Sequence, residues 1–411
     1  MSSNSYPQSQ KIPKTWRKVK LGEVLEKVID NRGKTPPLSN SGYPMIEVFS
    51  LSRDRKYPDI NNIQKQKYVS ENTYNNWFRS GHPKEGDILV STVGTIAQWN
   101  LISTGSRYCI AQNVVALRPD RNKTIPEFLF NYFRQKKFIK QVEGIVIGAS
   151  QPSVKLPHFL NLDIDLPPLK VQKRIANILS AFDDKIELNN KINQTLEQMA
   201  QAIFKEWFVK SEKSKIKSQK LGDFVKIISG HAFSSKLYIK YSRKALGVVT
   251  IKNVQDGHFI TSCDSFISEE NIPKNMSPEC RIKEGDILLS LTGNVGRVCF
   301  VYGGEYLLNQ RVAKLKPIDE KNRAFCYFLF RQPMLQNQLI NMAKGSAQPN
   351  LSPIETGEVE ILIPKQRTLD KFNDLVEPIY NRLVQNAVEN QKLAELRDLL
   401  LPKLMSGEIR V

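Results

Sequence analysis

The chain has few of the residues that build disulfides, metal sites or membrane spans. Its 411 residues include only five cysteines and four histidines. The cysteines form no Cys-x-x-Cys pair and the histidines show no ligand spacing, so we expect reduced thiols and no bound metal. No signal-peptide core starts the sequence, and no apolar run approaches the ~20 residues that span a bilayer. These absences predict a cytoplasmic protein.

Sequence motifs for catalysis are missing as well. No Gly-x-x-x-x-Gly-Lys-Ser/Thr loop is present to bind nucleotide phosphates. An enzyme that methylates an extruded base needs an acid or amide directly before Pro-Pro, with an aromatic residue after it. In the nearest string, "DLPPLK" at Asp165 to Lys170, a leucine separates the acid from the prolines and no aromatic residue follows. The chain is therefore predicted to have no catalytic site.

Acidic residues are scarce relative to basic ones. Lys and Arg number 60 and Asp and Glu 41, which gives a formal net charge of +19 and a pI of about 9.6. An excess of this size favours a polyanionic partner, with nucleic acid as the first candidate. The alternative is a basic surface that contacts only solvent.

Four short strings occur twice, in the same order and about 200 residues apart. "KEGDIL" occupies 84–89 and again 283–288, and the offset between copies falls only from 200 to 197 along the chain. The other pairs are "KLGEV" and "KLGDF", "AQNVVALRP" and "NQRVAKLKP", and "ASQPSV" and "SAQPNL". This order indicates a tandem duplication, in which each copy is a domain with its connector.

Each copy has the pattern of a mixed α and β domain. "GDILVSTVG" and "GDILLSLTGNVG" are typical of strands that run into Gly-rich loops, and helical segments are predicted at about 126–142 and 323–342. The predicted fold class is α+β, with two mixed α/β domains separated by an antiparallel pair of long coiled-coil helices in a pseudo-twofold tandem repeat. The sequence predicts domains at 1–168 and 212–364 and helical spacers at 169–211 and 365–411.

The two connectors have a helical period. Residues 170–209 lack Gly and Pro, and their apolar residues recur at alternating steps of four and three, which predicts a long helix with a coiled-coil seam. Such a helix would be a rod of roughly 60 Å at ~1.5 Å per residue. Residues 367–405 repeat the pattern, although Pro378 is expected to kink this second helix or to delay its regular part.

Asparagines interrupt both seams near their middle, at Asn189 and Asn193 and at Asn386 and Asn390. A buried asparagine in a seam costs stability but fixes the register of the helices. We expect an antiparallel pair with Asn189 near Asn386; the alternative is that these residues lie on a wetter edge. An antiparallel pair would hold the two domains apart by one to two turns of duplex, at ~34 Å per turn. This separation predicts a bipartite DNA site.

The first connector carries a family resemblance. "LPPLKVQKRIANILSAFDDKIELNNKINQTLEQMAQAIFKEWFV" resembles the central helical region of the specificity subunit of type I restriction-modification enzymes, and the resemblance extends over nearly the full chain. "NRGKTPP", "SGHAFSS", "KEGDILLSLTGNVG" and "GSAQPNLS" are similar to motifs of that family's target recognition domains. The second connector lacks the double proline, which weakens the match of its first turns only.

The resemblance implies a non-catalytic subunit with two target recognition domains, each reading one half of a split, asymmetric double-stranded DNA site, with the helical pair as a ruler. It also implies two modification subunits on the helices and restriction subunits that join them. Methylation of adenine, ATP hydrolysis and DNA cleavage would belong to those partners. S-adenosylmethionine, ATP and Mg would bind there, and this chain would hold no cofactor.

Side-chain type indicates which residues could contact DNA. Arg or Lys reads guanine and Asn or Gln reads adenine in the major groove, while most other basic contacts go to phosphates. The DNA contacts expected in the first copy are Arg32, Lys34, Thr35, Arg53, Arg55, Ser91 and Thr92. Those expected in the second copy are Ser229, His231, Lys252, Asn253, Thr292, Asn294, Arg297 and Arg311. Four glutamines that recur in both copies are expected to brace loops instead: Gln112, Gln151, Gln310 and Gln348.

Aromatic residues allow two interpretations. Stacking on bases is one role for Trp77, Phe78 and the aromatic residues at 128–133 and 327–330, but their helical spacing favours core packing. Phe204, Trp207 and Phe208 form a denser apolar patch than one seam needs, and this patch is predicted to bind a modification subunit.

Two other classes of protein fit the same features. One is a stand-alone DNA-binding regulator with two domains on a spacer. The other is a structural coiled-coil adaptor whose acidic partner is not DNA. Neighbouring reading frames for a methyltransferase and a motor nuclease would separate these classes from a specificity subunit.

Overall fold

The chain divides into two compact units. Unit 1 comprises Met1–Glu187 with Lys392–Val411, and unit 2 comprises Leu188–Gln391. The structure is a computed structural model and describes residues 13, 15–33, 35–60, 66–210, 215–345 and 349–411. None of the helices in these ranges combines the length and the hydrophobicity that a bilayer span requires.

The first copy is built from short strands and helices. Its strands are β1 (Arg17–Lys20), β2 (Leu25–Ile29), β3 (Tyr43–Ile46), β4 (Lys67–Val69), β5 (Ile88–Ser91), β6 (Trp99–Leu101), β7 (Cys109–Ile110), β8 (Val114–Pro119) and β9 (Asp163–Leu166). Its α-helices are α1 (Glu71–Asn76), α2 (Pro126–Phe133), α3 (Lys136–Glu143) and α4 (Leu156–Leu160), with 3-10 helices at Leu21–Val24 and Val48–Ser50. The single helical segment predicted at 126–142 is therefore two helices, α2 and α3.

The second copy follows the first long helix. That helix is α5 (Leu169–Phe204), and it continues into a π-helical turn at Lys205–Lys210. The strands are β10 (Lys215–Lys220), β11 (Val225–Ser229), β12 (Ala245–Val249), β13 (Val254–Gln255), β14 (His258–Phe259), β15 (Phe266–Ser268), β16 (Arg281–Ile282), β17 (Ile287–Ser290), β18 (Val298–Phe300), β19 (Tyr306–Leu308), β20 (Val312–Pro317) and β21 (Glu360–Pro364). The helices are α6 (Arg323–Phe330), α7 (Pro333–Met342), α8 (Pro353–Gly357) and the second long helix α9 (Gln366–Met405). Short 3-10 helices lie at Leu221–Asp223, Ser235–Leu237, Glu269–Asn271, Pro278–Cys280 and Glu320–Asn322.

The main sheets of the two units have the same topology, and their second sheets differ by one strand. Unit 1 has an antiparallel sheet of strand order β2-β8-β5-β6, and unit 2 has β11-β20-β17-β18. Next to these sheets lie β4-β3-β7 in unit 1 and β15-β12-β19-β16 in unit 2. In this second pair of sheets β3 runs parallel to β7, and β12 runs parallel to β19. The tandem repeat of mixed α/β domains predicted from the sequence is confirmed.

The repeated "KEGDIL" string forms the same turn in both units. Gly86 and Gly285 have φ of 84° and 81°, a left-handed conformation that glycine adopts without strain. The acid that follows closes the turn, because Oδ2 of Asp87 accepts a hydrogen bond from the backbone N–H of Lys84 at 2.8 Å. Asp286 accepts the equivalent bond at 2.9 Å. The string recurs because the turn needs this glycine and this acid to start a central strand.

The central strand of unit 1 is buried on both faces, which explains its continuous apolar sequence. Ile88 and Val90 pack on one side against α2, α3 and the long helices. Leu89 packs on the other side, with Ile46 and Ile110 of the neighbouring sheet. In unit 2, Ile287 and Leu288 divide between two clusters in the same way.

Long-helix residues of unit 1 join the core and form a buried ion cluster. Ile175 and Leu179 of α5 share the core with Leu401 and Leu404 of α9. Asp183 of α5 lies between two arginines, at 2.9 Å from Nη1 of Arg134 and 2.7 Å from Nη1 of Arg397. All three side chains are at most 5% exposed. Burying two cations beside one shared carboxylate makes this packing sensitive to loss of that acid.

In unit 2 the asparagines of the two seams bond across an antiparallel helix pair. Asn189 donates to Oδ1 of Asn390 at 2.9 Å, and Asn386 donates to Oδ1 of Asn193 at 2.7 Å. Residue number rises along α5 as it falls along α9, so the pair is antiparallel as predicted. The predicted neighbour of Asn189 was wrong by about one turn, because Asn390 and not Asn386 lies opposite it.

The second long helix passes through its proline without a break. It begins at Gln366 and is continuous to Met405, so Pro378 does not delay its regular part as the sequence suggested. Its neighbours Val376 and Tyr380 are fully buried in the core of unit 2. Their burial stabilises the helix at the position where the proline removes a backbone hydrogen bond.

The apolar patch at the end of α5 is covered by unit 2 itself. Phe204 is buried, and its ring centroid lies 5.3 Å from that of Phe325 and 5.7 Å from that of Phe372. Phe208 contacts the same two rings at 5.1 and 4.9 Å, and Trp207 lies 6.1 Å from Phe372. The prediction that this patch binds a modification subunit is therefore wrong for Phe204, which is buried in the core of unit 2, and stays a prediction for Trp207 and Phe208, which are half-buried.

Candidate nucleic-acid interface

In unit 1, three loops meet at one edge of the main sheet. Ile29 ends β2 and Ser91 ends β5, whereas Val114 starts β8 beside them, and Ser91 is paired directly with Val114. Because neighbouring strands are antiparallel, the loops 30–42, 92–98 and 111–113 emerge on the same side. We call these three loops the loop edge of unit 1.

Unit 2 has an equivalent edge. Ser229 ends β11 opposite Ala313, and Ser290 ends β17 opposite Val312. The loops 230–244, 291–297 and 309–311 therefore emerge together and form the loop edge of unit 2. Ten of the sequence-predicted DNA contacts that the structure describes are in these six loops or at the strand ends that enter them. Arg53, Arg55, Lys252 and Asn253 lie in other segments.

The central loop has the same backbone in both units. The amide of Gly94 donates to the carbonyl of Pro152 at 2.9 Å, and the amide of Gly293 donates to that of Pro349 at 3.1 Å. Ala97 has a φ of 59°, and its equivalent Gly296 has a φ of 83°. Glycine adopts this conformation freely, but a residue with a side chain is strained there. The repeat thus conserves the loop shape between the two copies even where the residue type differs.

Several predicted DNA contacts have exposed side chains on or beside these edges. Exposure is what a base or phosphate contact requires in the free protein. The exposed set comprises Arg32, Thr35, Ser229, Lys252, Asn294 and Arg311, and the half-buried set comprises Arg53, Arg55, His231 and Arg297. Lys34 lies outside the described residues.

Two predicted contacts in unit 1 are internal. Ser91 is buried, and its hydroxyl donates to the carbonyl of Thr95 at 2.8 Å while accepting from the amide of Gln98 at 3.1 Å. Thr92 is also buried and donates to the carbonyl of Asn113 at 3.2 Å. Both hydroxyls hold the central loop, so the assignment of Ser91 and Thr92 to DNA is corrected.

Two predicted contacts in unit 2 are internal for the same reason. Buried Asn253 uses its amide fully: Oδ1 accepts from the backbone of Thr250 at 2.9 Å, and Nδ2 donates to the carbonyl of Ile260 at 2.8 Å. Buried Thr292 donates to Oδ1 of Asn350 at 2.9 Å. These hydrogen bonds hold the loops in their conformation. The prediction that Asn253 and Thr292 contact DNA is therefore also corrected.

Some of the predicted cations are paired with acids of their own unit. Nη2 of Arg32 lies 2.5 Å from Asp30, and this hydrogen bond holds the pKa of the Asp30 carboxyl below its usual range. A hydrogen bond to Asp264, at 2.8 Å, raises the pKa of Lys252. Arg55 pairs with Asp59 at 2.7 Å. Each of these pairs orients a cation, and each acid must be displaced or shared when a phosphate binds.

Three further arginines that were predicted to contact DNA make polar contacts with adjacent segments. The amide of Arg53 donates to Oε1 of Gln98 at 3.2 Å, so this segment contacts the central loop. Nη1 of Arg297 donates to Oε1 of Gln255. The backbone carbonyl of Arg311 accepts from the amide of Leu291 at 3.0 Å, which leaves its exposed side chain beside the central loop of unit 2.

The glutamines expected to brace loops and the aromatic residues expected in the core can be located in part. Nε2 of Gln112 donates to Oγ1 of Thr35 at 3.0 Å and so links two loops of the unit 1 edge, as expected of a bracing residue. Gln348 lies outside the described residues. The aromatic residues of α2 and α6, including Phe128 and Phe328, are buried in the cores, which confirms core packing over base stacking.

A cleft at the unit 1 edge brings together Trp77 and Arg32, which the sequence analysis named separately, with Arg79, which it missed. Trp77 remains 39% exposed and lines a cavity of about 470 Å³ together with Arg32 and Arg79. Asn31 fixes the walls, because Oδ1 accepts from the amide of Ser80 at 3.0 Å and Nδ2 donates to the carbonyl of Gly81 at 2.9 Å. The string "NNWFRSG", an aromatic and basic pair next to a glycine turn, was the available signal.

A run of lysines and one arginine in unit 2 was missed as well. It lies in the loop 230–244, in "SKLYIKYSRK", a string without Asp or Glu. Across the described ranges of the chain, no group of three or more His, Cys, Asp or Glu side chains is arranged to hold a metal ion. The candidate interface presents cations and amides on loops.

Comparisons with known proteins agree with this arrangement. Residues 13–198 and 213–396 each match the family described as the type I restriction modification DNA specificity domain. The MjaIX type I restriction enzyme specificity subunit of Methanocaldococcus jannaschii is 28% identical over 98% of this chain and 95% of its own length. The HindI specificity subunit of Haemophilus influenzae is 26% identical over 79% of this chain and 87% of its own length.

A solved structure shares the fold. The S subunit of a type I restriction-modification system from M. genitalium is similar with a TM-score of 0.53 and 17% identity, covering 97% of this chain and 98% of that one. At this level of identity the likeness concerns the fold alone. The two matched domains fill most of the sequence, and the chain therefore belongs to the type I restriction-modification DNA specificity family, whose members are non-catalytic DNA-recognition subunits.

Proposed function

We propose that the chain reads a split, asymmetric DNA site, with one half bound by the loop edge of each unit. The observation that carries this proposal is one sheet topology repeated under two sets of loops with different exposed side chains. Thr95 and Asn294, for example, occupy the same exposed position of the central loop. Two domains that share a framework but carry different exposed loop side chains recognise two different half-sites.

In this proposal the reading function belongs to residues 1–168 and 212–364, and the helices at 169–211 and 365–411 set the spacing between half-sites. The strand pairs β1–β9 and β10–β21 support these boundaries, because each pair joins the start of a predicted domain to its end. The hydrogen bond that Asn386 donates to Asn193 supports a fixed helix register. A fixed register is what a spacer needs to define a constant number of base pairs.

We further propose that the chain directs adenine methylation and DNA cleavage by partner subunits in the cytoplasm. S-adenosylmethionine, ATP and Mg would bind to those partners. Two modification subunits would dock on the helices and restriction subunits would join them. Leu396 and Leu399 of α9 support such a docking surface, because they are exposed apolar side chains three residues apart on one helix face.

Co-expression with the modification subunit tests the proposal. Methylated adenines are then mapped across a genome that lacks other adenine methyltransferases. The expected result is a motif of two short defined segments separated by a constant number of undefined bases. A contiguous motif, or methylation without sequence preference, would contradict the split site.

A further inference from the structure

The loop 230–244 of unit 2 presents a run of exposed cations. Lys236, Lys240, Arg243 and Lys244 fall within nine residues that contain no acid. All four side chains are exposed. None of them forms an ion pair with an acid among the described residues. We call residues 236–244 the basic segment.

The basic segment is held in place by its apolar residues. Phe233, Leu237 and Tyr238 pack against the small core formed with Val248 and Ile267. The amide of Ile239 donates to the carbonyl of Phe266 at 2.9 Å. Leu237 and Tyr238 are partly buried, whereas the cations before and after them are exposed. The charge is therefore displayed on a fixed backbone.

The segment is continuous with the loop edge. It follows β11, whose last residue Ser229 lies at that edge, and the amide of His231 donates to the carbonyl of Leu308 at 2.8 Å. The segment begins in the 3-10 helix Ser235–Leu237 and its four cations are spread over nine residues, so together they can contact more than one phosphate. A surface that starts at the reading loops and extends from them is placed to contact phosphates next to the bases being read.

An exposed tyrosine lies within the basic segment. Tyr241 is 73% exposed, and only the edge of its ring contacts Phe266, at 5.4 Å between centroids. An aromatic residue among cations is typical of nucleic-acid surfaces, where it can pack on a sugar or base. This feature favours nucleic acid over an acidic protein as the partner.

Unit 1 has no such segment at the equivalent place. Its loop 30–42, "DNRGKTPPLSNSG", contains one arginine, one lysine and one acid. The two units therefore differ in charge at the same position of the same fold, although their main sheets share one topology. The difference concerns affinity for phosphate and does not depend on which bases are read.

We propose that the basic segment is a phosphate-binding surface through which unit 2 supplies sequence-independent affinity for duplex DNA. This inference rests on the proposed function of the chain in DNA recognition. Each lysine that neutralises a phosphate releases counterions, so the logarithm of the binding constant falls with the logarithm of salt by about 0.9 per contact on B-DNA. Three such contacts contribute about 2.7 to that slope.

The test compares two matched triple variants of the chain in complex with its modification subunits. One variant is K236Q/K240Q/K244Q. The control is K226Q/K283Q/K321Q, which removes three other exposed lysines of unit 2 that have no ion pair among the described residues. Lys283 precedes β17 and Lys321 follows β20, so both lie at the opposite edge of the sheet. Fluorescence anisotropy then measures the dissociation constant for a duplex with the mapped motif and for a scrambled duplex, from 50 to 300 mM KCl.

In K236Q/K240Q/K244Q, the slope of the logarithm of the binding constant against the logarithm of salt should be shallower than in the wild type by about 2.7. In the control it should change by less than about 0.9. The first variant should bind both duplexes more weakly, and by the same factor. An unchanged slope in the first variant would overturn the proposal, and so would a changed methylation motif, which would show base reading. Loss of subunit co-purification with an intact slope would identify a protein partner instead. Thermal unfolding confirms that both variants fold. The proposed function fails on a separate result, the absence of a split motif in the wild type.

Discussion

Asn386 donates a hydrogen bond to Asn193 at 2.7 Å across the two antiparallel helices of unit 2. Asn386 is only 1% exposed, and its own Oδ1 has no partner in the described part of the chain. The hydrogen bond to Asn193 thus gives the buried Nδ2 of Asn386 its acceptor. A buried donor that loses its acceptor is costly, whereas an apolar pair of similar shape is tolerated.

We predict that Asn193→Leu lowers the free energy of unfolding by about 1–3 kcal/mol, because Nδ2 of Asn386 loses its acceptor. The double variant N193L/N386L should recover part of this loss, since neither amide remains buried. Chemical denaturation of the full chain measures both values. A double variant no more stable than the single one would show that the asparagine pair does not stabilise this register.

The second prediction concerns Asp183, whose carboxylate pairs with both Arg134 and Arg397. Asp183→Asn leaves Arg134 and Arg397 buried beside each other without a full countercharge. The free energy of unfolding should fall by about 3–5 kcal/mol. Asp374→Asn, an exposed position on α9, is the control and should stay within about 0.5 kcal/mol of the wild type. Equal stability of the two variants would rule out a buried ion cluster.

We predict that the stability of unit 1 depends on pH through His82. Its Nε2 lies 2.7 Å from the carbonyl of Tyr74, so the neutral ring donates from this atom. Its Nδ1 is buried and, among the described residues, unpaired. Burial lowers the pKa of His82, because protonation would place a second, unsatisfied N–H there.

The unfolded chain therefore binds the proton more readily than the folded chain at this site. The stabilising contribution of His82 is complete above the ordinary histidine pKa of about 6.5 and is lost as pH falls below it toward the lowered folded value. Melting temperature measured between pH 7.5 and 5 should fall less in His82→Gln than in the wild type. His158→Gln, at an exposed position, should retain the wild-type dependence. Identical pH profiles for wild type and H82Q would contradict this assignment.

Leu399 provides a prediction for the proposed modification-subunit surface. Its side chain is 60% exposed on α9, so L396S/L399S should weaken co-purification of the modification subunit by tenfold or more without lowering the melting temperature; this corresponds to about 1.4 kcal/mol. Leu362→Ser, at a similarly exposed leucine on β21, is the control. Undiminished co-purification by L396S/L399S would place the modification subunit elsewhere.

Features set by local chemistry or by a repeat could be predicted from the sequence. The turn at Gly86 and Asp87 needs its residues in fixed order, and the apolar period of each connector recurs on both sides of its asparagines. Both patterns can be recognised in the sequence without knowledge of the tertiary structure. The duplicated topology and the antiparallel helix pair in each unit follow from them.

Features that depend on a distant segment could not be predicted. Thr292 looks like a DNA-binding hydroxyl until Asn350 accepts its hydrogen bond. Phe204 looks exposed on an isolated helix until Phe325 and Phe372 cover it. The helix register was wrong by one turn, because equally spaced asparagines allow more than one alignment and only the packing of the whole seam selects among them.

Exchange of residues 1–168 for those of another specificity subunit is the most direct test of the central claim that each copy reads its own half of the site. The hybrid is co-expressed with the modification subunit, and methylated adenines are mapped across the genome. The account predicts that one half of the motif changes to that of the donor, while the other half and the number of bases between them stay the same. A motif in which both halves change, or neither does, would contradict it.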